Sequence, residues 1–287
     1  MKKFLVGFLL VSSTSAFAAG GSEARTTDMF APKGGGAEFL VKLTVPTGKV
    51  EQSGTSTTFS GMALGLEYAY GFSDMAALYV TQGYSSTEFA SSPGTTSKVK
   101  GIGDTKVGVK AVVDYGQTFF YYDVGYQLPL LAKAKTDSSG DTTAVNARPE
   151  LQLQGGVGAA FDLVGLGALL KYDLYQDGDS DVDAAGITIT TKNKSGSGMQ
   201  WKIYAQYQAA FKVGAAYGEM TVDSYDRTTS GVTVSNAKSE TKMISVYSII
   251  PVGTTSEVHL EIQKPEVKNS SATYSVYYLS AAYRTTF

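Results

Sequence analysis

Residues 273–287 read TYSVYYLSAAYRTTF, and the chain stops on an aromatic side chain with no polar tail behind it. In an extended strand successive side chains point to opposite faces. Tyr277, Leu279, Ala281, Tyr283, Thr285 and Phe287 therefore share one face, while Tyr278, Ser280, Arg284 and Thr286 share the other. A last strand of this kind leaves a backbone edge exposed unless another strand pairs with it. Pairing with the first strand of the same chain removes the edge by closing the sheet into a barrel.

Working outward, the same alternation recurs. In EFLVKLTV, Phe39, Val41, Leu43 and Val45 oppose Glu38, Leu40, Lys42 and Thr44. In MQWKIYAQYQAAF, Met199, Trp201, Ile203, Ala205, Tyr207, Ala209 and Phe211 oppose Gln200, Lys202, Tyr204, Gln206, Gln208 and Ala210. Period two over such lengths predicts strands with one apolar and one polar face. About twelve segments of this type run from residue 37 to residue 287.

The connections between them alternate in length. GFSD, DYGQ, DLVG and PVGT are short turns, with another close to Lys212. TGKVEQSGTST, TEFASSPGTTSKV, AKAKTDSSGDTTAVNA, DGDSDVDAAGITITTKNKSGS, RTTSGVTVSNAK and KPEVKNSSA are long and rich in Ser, Thr, Gly, Asp and Lys, and are expected as polar loops. Short turns at one end and long loops at the other predict an all-β, transmembrane, antiparallel up-and-down β-barrel of about 12 strands. Strands span a bilayer only in a closed sheet, because every backbone N–H and C=O there needs a protein partner. The apolar face then points to lipid and the polar face to the lumen.

Composition agrees. The 287 residues hold 32 Gly, 19 Tyr, only 7 Pro and no Cys, with 17% charged residues. GGVGAAFDLVGLGALL (155–170) is the nearest approach to a membrane helix, but its glycines, Asp162 and its alternating flanks read as two strands and a turn. The formal net charge of −2 gives no reason to expect a nucleic-acid partner. At the start, Lys2 and Lys3 precede an apolar run from Phe4 to Val11 and small residues closing on Ala16-Phe17-Ala18. That order predicts a secretory signal peptide over 1–18. Residues 19–36, ending in Gly34-Gly35-Gly36, read as a flexible segment, either a periplasmic leader or a small lumenal plug, and residues 37–287 as the barrel.

With these features the chain resembles the bacterial outer-membrane β-barrel proteins, porin-like, whose last strand commonly ends in Phe. The resemblance implies location in the outer membrane of a Gram-negative bacterium, contact with outer-membrane lipids, and a C-terminal strand read by the barrel-insertion machinery. LTVPTGK (43–49), YGFSD (70–74) and GIGDTKVGVK (101–110) are in addition similar to barrels for uptake of aromatic compounds and hydrocarbons.

On the polar face, Glu38, Lys42, Glu67, Asp104, Lys106, Lys110, Asp123, Glu150, Lys171, Asp173, Lys202, Glu257, His259, Glu261 and Arg284 are candidates for a lumenal selectivity region. Charged rings discriminate between small solutes, although such charges can equally pair with each other and fill the barrel. Trp201, Phe211, Tyr283 and Phe287 are candidates for the interfacial aromatic girdle and the terminal insertion signal. His259, the only histidine, lies between Glu257 and Glu261 on its face; hydrogen bonding within a polar lumen accounts for it more simply than acid–base chemistry.

Asp177, Asp179, Asp181 and Asp183 alternate in DGDSDVD, a weak candidate for a divalent cation that lacks the Gly and Glu of an EF-hand loop. GIGD does not match a phosphate-binding glycine motif, and no cofactor is expected. No Ser-His constellation or cysteine nucleophile points to an enzyme. Two functions remain: a channel or uptake barrel passing small solutes through a charged lumen, or a non-conducting barrel that acts through its outer loops.

Overall fold

The computed structural model describes residues 29–52, 54–91, 94–103, 105–129, 134–137, 141–143, 148–161, 163–184, 187–268 and 272–287. Among them the strands are β1 (Ala37–Gln52), β2 (Thr55–Gly71), β3 (Ala76–Ser91), β4 (Thr95–Ile102), β5 (Thr105–Tyr115), β6 (Thr118–Leu128), β7 (Ala134–Thr136), β8 (Glu150–Phe161) and β9 (Val164–Tyr175). They continue with β10 (Gly178–Ala184), β11 (Ile187–Asn193), β12 (Gly196–Gln208), β13 (Lys212–Val222), β14 (Tyr225–Thr229), β15 (Val232–Asn236), β16 (Ser239–Val252), β17 (Ser256–Val267) and β18 (Ala272–Thr286).

Twelve of these strands form a closed antiparallel barrel in the order β1-β2-β3-β5-β6-β8-β9-β12-β13-β16-β17-β18 and back to β1. The seam is the contact foreseen from the last residues of the chain. β18 pairs with β1 from Glu38↔Thr286 to Gln52↔Ala272. Beyond the ladder Ala37 N–H donates to the Phe287 carbonyl at 3.0 Å and Phe287 N–H to that of Ala37 at 2.9 Å.

Every wall strand turns an exposed apolar side chain outward, for example Leu43, Leu66, Val80, Val109, Val124 and Leu153 on the first six and Leu170, Ile203, Val213, Val246, Leu260 and Leu279 on the rest. A water-soluble surface does not tolerate a continuous apolar belt of this extent, so the belt belongs in lipid. The periplasmic-type turns are short; Gly116 and Gly253 take φ of 65° and 78° there, which a glycine adopts without steric cost.

β4 and β5 are one wall strand interrupted by a bulge. Tyr84 faces Ile102 and Thr81 faces Lys106, so the register of the two ladders along β3 shifts by one residue between them. Gln82 stitches the gap, donating to the Gly103 carbonyl and accepting from Thr105 Oγ1 at 2.6 Å.

The long outer segments depart from the expected irregular loops. β1 and β2 run on through TGKVEQSGTST, paired as far as Gln52↔Thr55. DGDSDVDAAGITITTKNKSGS holds the β10–β11 hairpin and RTTSGVTVSNAK the β14–β15 hairpin. With β7 they make a second, five-stranded sheet in the order β15-β14-β11-β10-β7. The physical reason is visible in the sequence: ITITT and VTV are β-branched and alternating, and Ser230-Gly231, with φ of 50° and 79°, is a two-residue hairpin turn.

Candidate functional site

The lumen is crossed at its short-turn end by the residues that precede β1. Gly35 N–H donates to the Gly71 carbonyl at 2.8 Å and Gly71 N–H to that of Gly36 at 2.9 Å, which pins the chain to the foot of β2. Gly71 is needed there because a Cβ would collide with the Pro32 and Lys33 carbonyls. From that point the chain runs inward. Arg284 lies 4.2 Å from the centroid of the Phe30 ring, and Met29, fully buried, receives the Tyr204 hydroxyl at 3.8 Å from its sulfur. Tyr204 is on β12, six places from β2 in a ring of twelve, so the segment spans the barrel from one wall to the opposite one. Residues 1–28, which include the stretch read as a signal peptide and most of the segment read as flexible, lie outside the described residues.

Around Met29 the base of the lumen is apolar: Ala77, Val112, Phe119, Tyr121, Leu169, Tyr204, Ala216, Tyr247 and Ile249 are buried in one cluster with it. The inward tyrosines fit because the wall beside them is glycine. A Cβ on Gly158 or Gly167 would strike Tyr204, one on Gly214 would strike Tyr247, and one on Gly108 or Gly125 would strike Tyr79.

The candidate lumenal charges form a belt of ion pairs. Lys110 Nζ lies 2.6 Å from Glu67 and 3.4 Å from Glu38. Arg284 pairs with Glu257 at 2.6 Å and sits 3.8 Å from Glu38. Lys106 is 3.9 Å from Asp123 and also contacts Gln152, which donates to Asp173 at 3.0 Å; Asp173 holds Lys171 at 3.1 Å. Tyr79 donates to Asp123 at 2.7 Å. Glu261 is met by Ser245 and lies in the field of Lys42 and Lys202, and the His259 ring packs edge-on against Tyr247 at 5.7 Å. Asp104 falls outside the described residues.

Burial decides what this belt is. Side chains lining a water-filled tube are wetted by it, yet Glu38 is 0% exposed, Lys110 1%, and Glu67, Lys106, Asp123, Glu150, Asp173, Glu261 and Arg284 are all buried. At this level the lumen is packed with side chains, most of them in ion pairs, as in barrels too narrow for an aqueous channel, while Nε2 of His259 has no hydrogen-bond partner. Lys42, Lys171 and Lys202 keep partial exposure, and so does Glu257, beside the last turn. Nearer the outer mouth, Val50, Phe59, Phe89, Val276 and Tyr278 form a second apolar cluster on the β1, β2, β3 and β18 wall.

The remaining sequence candidates fall in separate places. Trp201 faces outward against Tyr217, 5.5 Å between ring centroids; Phe211 is in a short turn; Tyr283 and Phe287 are on the outer face of the seam. The acidic run is not gathered into a cage. Asp179, Asp181 and Asp183 are spread along β10 at alternate positions; Asp177 binds Lys194 at 3.0 Å and the Ser195 amide at 2.6 Å, and Asp181 accepts from Thr190 at 2.7 Å. Among the described residues no three potential ligands are grouped for a metal.

Sequence reasoning passed over Met29, Phe30, Tyr79, Gln152 and Arg148. Arg148 is buried between Tyr175 and Tyr225, at 5.4 and 5.0 Å, and donates to the carbonyls of Gln176, at 3.1 Å, and Lys194. It staples the break between barrel and outer sheet. For the tyrosine only the neighbouring glycines could have signalled its place; for Met29 and Phe30 no periodic pattern exists.

Solved barrels of the bacterial outer membrane share this architecture. An outer membrane channel from Pseudomonas putida F1 is similar over 92% of this chain and 100% of its own, with a TM-score of 0.67 at 14% identity. The transport unit of the autotransporter AIDA-I from Escherichia coli matches over 98% of this chain and 97% of its own, with a TM-score of 0.59 at 10% identity. A deltaS2 mutant of the TodX monoaromatic hydrocarbon channel matches over 91% of both chains, with a TM-score of 0.52 at 10% identity. At such identities the likeness is one of fold. The chain has the fold of the outer-membrane β-barrel proteins, hydrocarbon channels among them. No family model and no curated protein matches the sequence.

Proposed function

We propose that this chain is an outer-membrane channel or uptake barrel for small solutes, and that the arrangement described is its closed state. The observation that carries the reading is the segment at 29–33, which crosses the lumen and seats Met29 in the apolar base. A purely structural barrel filled by its own strands has no use for a separate segment lying across it, whereas a channel needs a part that can leave. Among the described residues the segment is held by the buried side chains of Met29, Ala31 and Pro32, a cation–π contact at Phe30 and backbone bonds at Gly71. Its withdrawal would leave the charge belt as the constriction that a solute meets. The folds of the Pseudomonas channel and of TodX support the reading as analogy. On it, Phe287 and the outer face of β18 are what the insertion machinery and the outer-membrane lipids meet, and the reaction class is passage rather than catalysis.

The test is single-channel conductance of the refolded chain beginning at Ala19, beside a form lacking residues 19–33. Rare or small openings in the first and steady open steps in the second are expected. Silence of both in planar bilayers, with no swelling of liposomes in sugar solutions, would overturn the reading.

One observation favours the second function. The outer hairpins are an ordered sheet whose edge strand β15 presents exposed Val232 and Val234. A barrel that acts through this sheet would lose binding to surfaces when residues 178–193 are removed, with the lumen unchanged.

A further inference from the structure

Although positive and negative groups on the lumenal face are nearly matched, they are not mixed at random in depth. The carboxylates of Glu38, Glu67, Asp123, Glu150, Asp173 and Glu261 are buried, and among the described acids of the belt Glu257 reaches solvent, at the short-turn end. Solvent inside the barrel meets lysines instead, Lys42, Lys171 and Lys202, of which Lys42 and Lys202 lie nearest the crossing segment's contacts. Both stand one lumenal position further from the periplasmic turns than a group that touches the crossing segment. Lys202 follows Tyr204, which contacts Met29; Lys42 pairs with Ala282, one step beyond Arg284, which stacks on Phe30.

A third polar group converges here. His259 and Lys42 both register with Ala282, so they lie on either side of one small side chain, about 10 Å apart at the backbone. His259 is 4% exposed, and its Nε2 has no hydrogen-bond partner. Lys42 and Lys202 both act on it and on Glu261 through space. A buried ring nitrogen without a partner is unusual and calls for a ligand or a water. We propose that Lys42, Lys202 and the Nε2 side of His259 form an anion site on the outer side of the crossing segment, for the carboxylate of a small organic acid. Lysine ammonium groups and an imidazole N–H donate to a carboxylate through charge-assisted bonds. Further up the lumenal face of β18 come Tyr278 and Val276, part of the outer apolar cluster, so the acid it fits is one with an apolar body. This deepens the reading of the barrel as a solute route and rests on it for its meaning, though not for its test.

The test is calorimetric titration of the detergent-refolded chain beginning at Ala19 with benzoate, benzyl alcohol and inorganic phosphate. Saturable benzoate binding is expected, with benzyl alcohol and phosphate weaker. Lys202→Gln and Lys42→Gln should each weaken benzoate by about tenfold or more, as loss of a hydrogen bond to a charged group does. Lys202→Arg should retain binding, and heat-modifiable gel mobility confirms that each variant is folded. Equal affinity for benzoate and benzyl alcohol, phosphate binding tighter than benzoate, unchanged affinity in folded Gln variants, or no benzoate binding by the parent chain would each overturn the site. Conductance separates this outcome from the channel itself. Open steps without benzoate binding remove the site and leave the channel; benzoate binding in a silent barrel supports the site and removes the channel.

Discussion

Lys110 distinguishes a packed belt from a wetted pore by energy alone. In Lys110→Met the aliphatic volume is kept and the charge removed. Glu67 then loses its cation at 2.6 Å, and Glu38 retains only Arg284 at 3.8 Å. With Lys110 1% exposed and Glu38 0%, little water can take over. Removing one partner of a buried ion pair typically costs about 3–5 kcal/mol, because the other charge stays buried and uncompensated. For comparison, Lys49 and Glu51 form an exposed pair on the outer face, and exposed pairs contribute about 0–1 kcal/mol. Urea unfolding from phospholipid vesicles, followed through Trp201 fluorescence, should therefore rank Lys110→Met far below Lys49→Met. Adding Glu67→Gln to Lys110→Met should restore about 1–2 kcal/mol by removing the stranded charge. If Lys110→Met stays within about 1 kcal/mol of the parent, as an exposed pair would, the belt is wetted and the closed lumen described above is wrong.

Three further outcomes follow from the same contacts. Met29→Ala with Phe30→Ala removes a buried side chain and a cation–π contact, together about 3 kcal/mol of the segment's hold; open probability in planar bilayers should rise about a hundredfold, and an unchanged value would mean that the segment is no gate. Arg148→Met should loosen the outer sheet and leave the barrel intact: amide exchange in β10–β11 and β14–β15 should quicken by about thirtyfold for a loss near 2 kcal/mol, with wall strands unaffected. The Asp177 carboxyl is held below its usual range by the Lys194 ammonium and by the Ser195 amide. A carboxyl whose folded value is depressed contributes above its unfolded value and stops contributing as pH falls through the folded one, so this staple should be intact at neutral pH and lost as pH falls below the usual carboxylate range, visible as faster exchange at 194–195 with none in Asp177→Asn attributable to it.

Much of the wall was legible because lipid and water impose opposite demands on the two faces of each strand. The alternation in residues 273–287 foretold both the seam with β1 and the outward set from Tyr277 to Phe287, and the short turns marked one end of the barrel. The candidate charges were assigned to the lumen by the same rule; Asp104 lies outside the described residues, and the others are on the inward face of the wall. What they do there was not legible. A period of two says which way Lys110 points but not that Glu38 and Glu67, from two other strands, will close on it; that depends on how the closed sheet staggers its strands. The outer hairpins were hidden by composition, since Ser, Thr and Gly serve turns and exposed strands alike.

Sequence by itself thus determined the all-β class, the strand count near twelve, the closure at the terminal strand and the two faces of the wall. These follow from local periodicity and from the rule that a bilayer admits no unpaired backbone. Only the tertiary structure decided that most of the charge belt is buried rather than wetted, that Met29 and Phe30 lie across the lumen, and that Lys42, Lys171, Lys202 and Glu257 keep partial exposure. Those are contacts between residues distant along the chain, and their geometry exists only once twelve strands have closed into a ring.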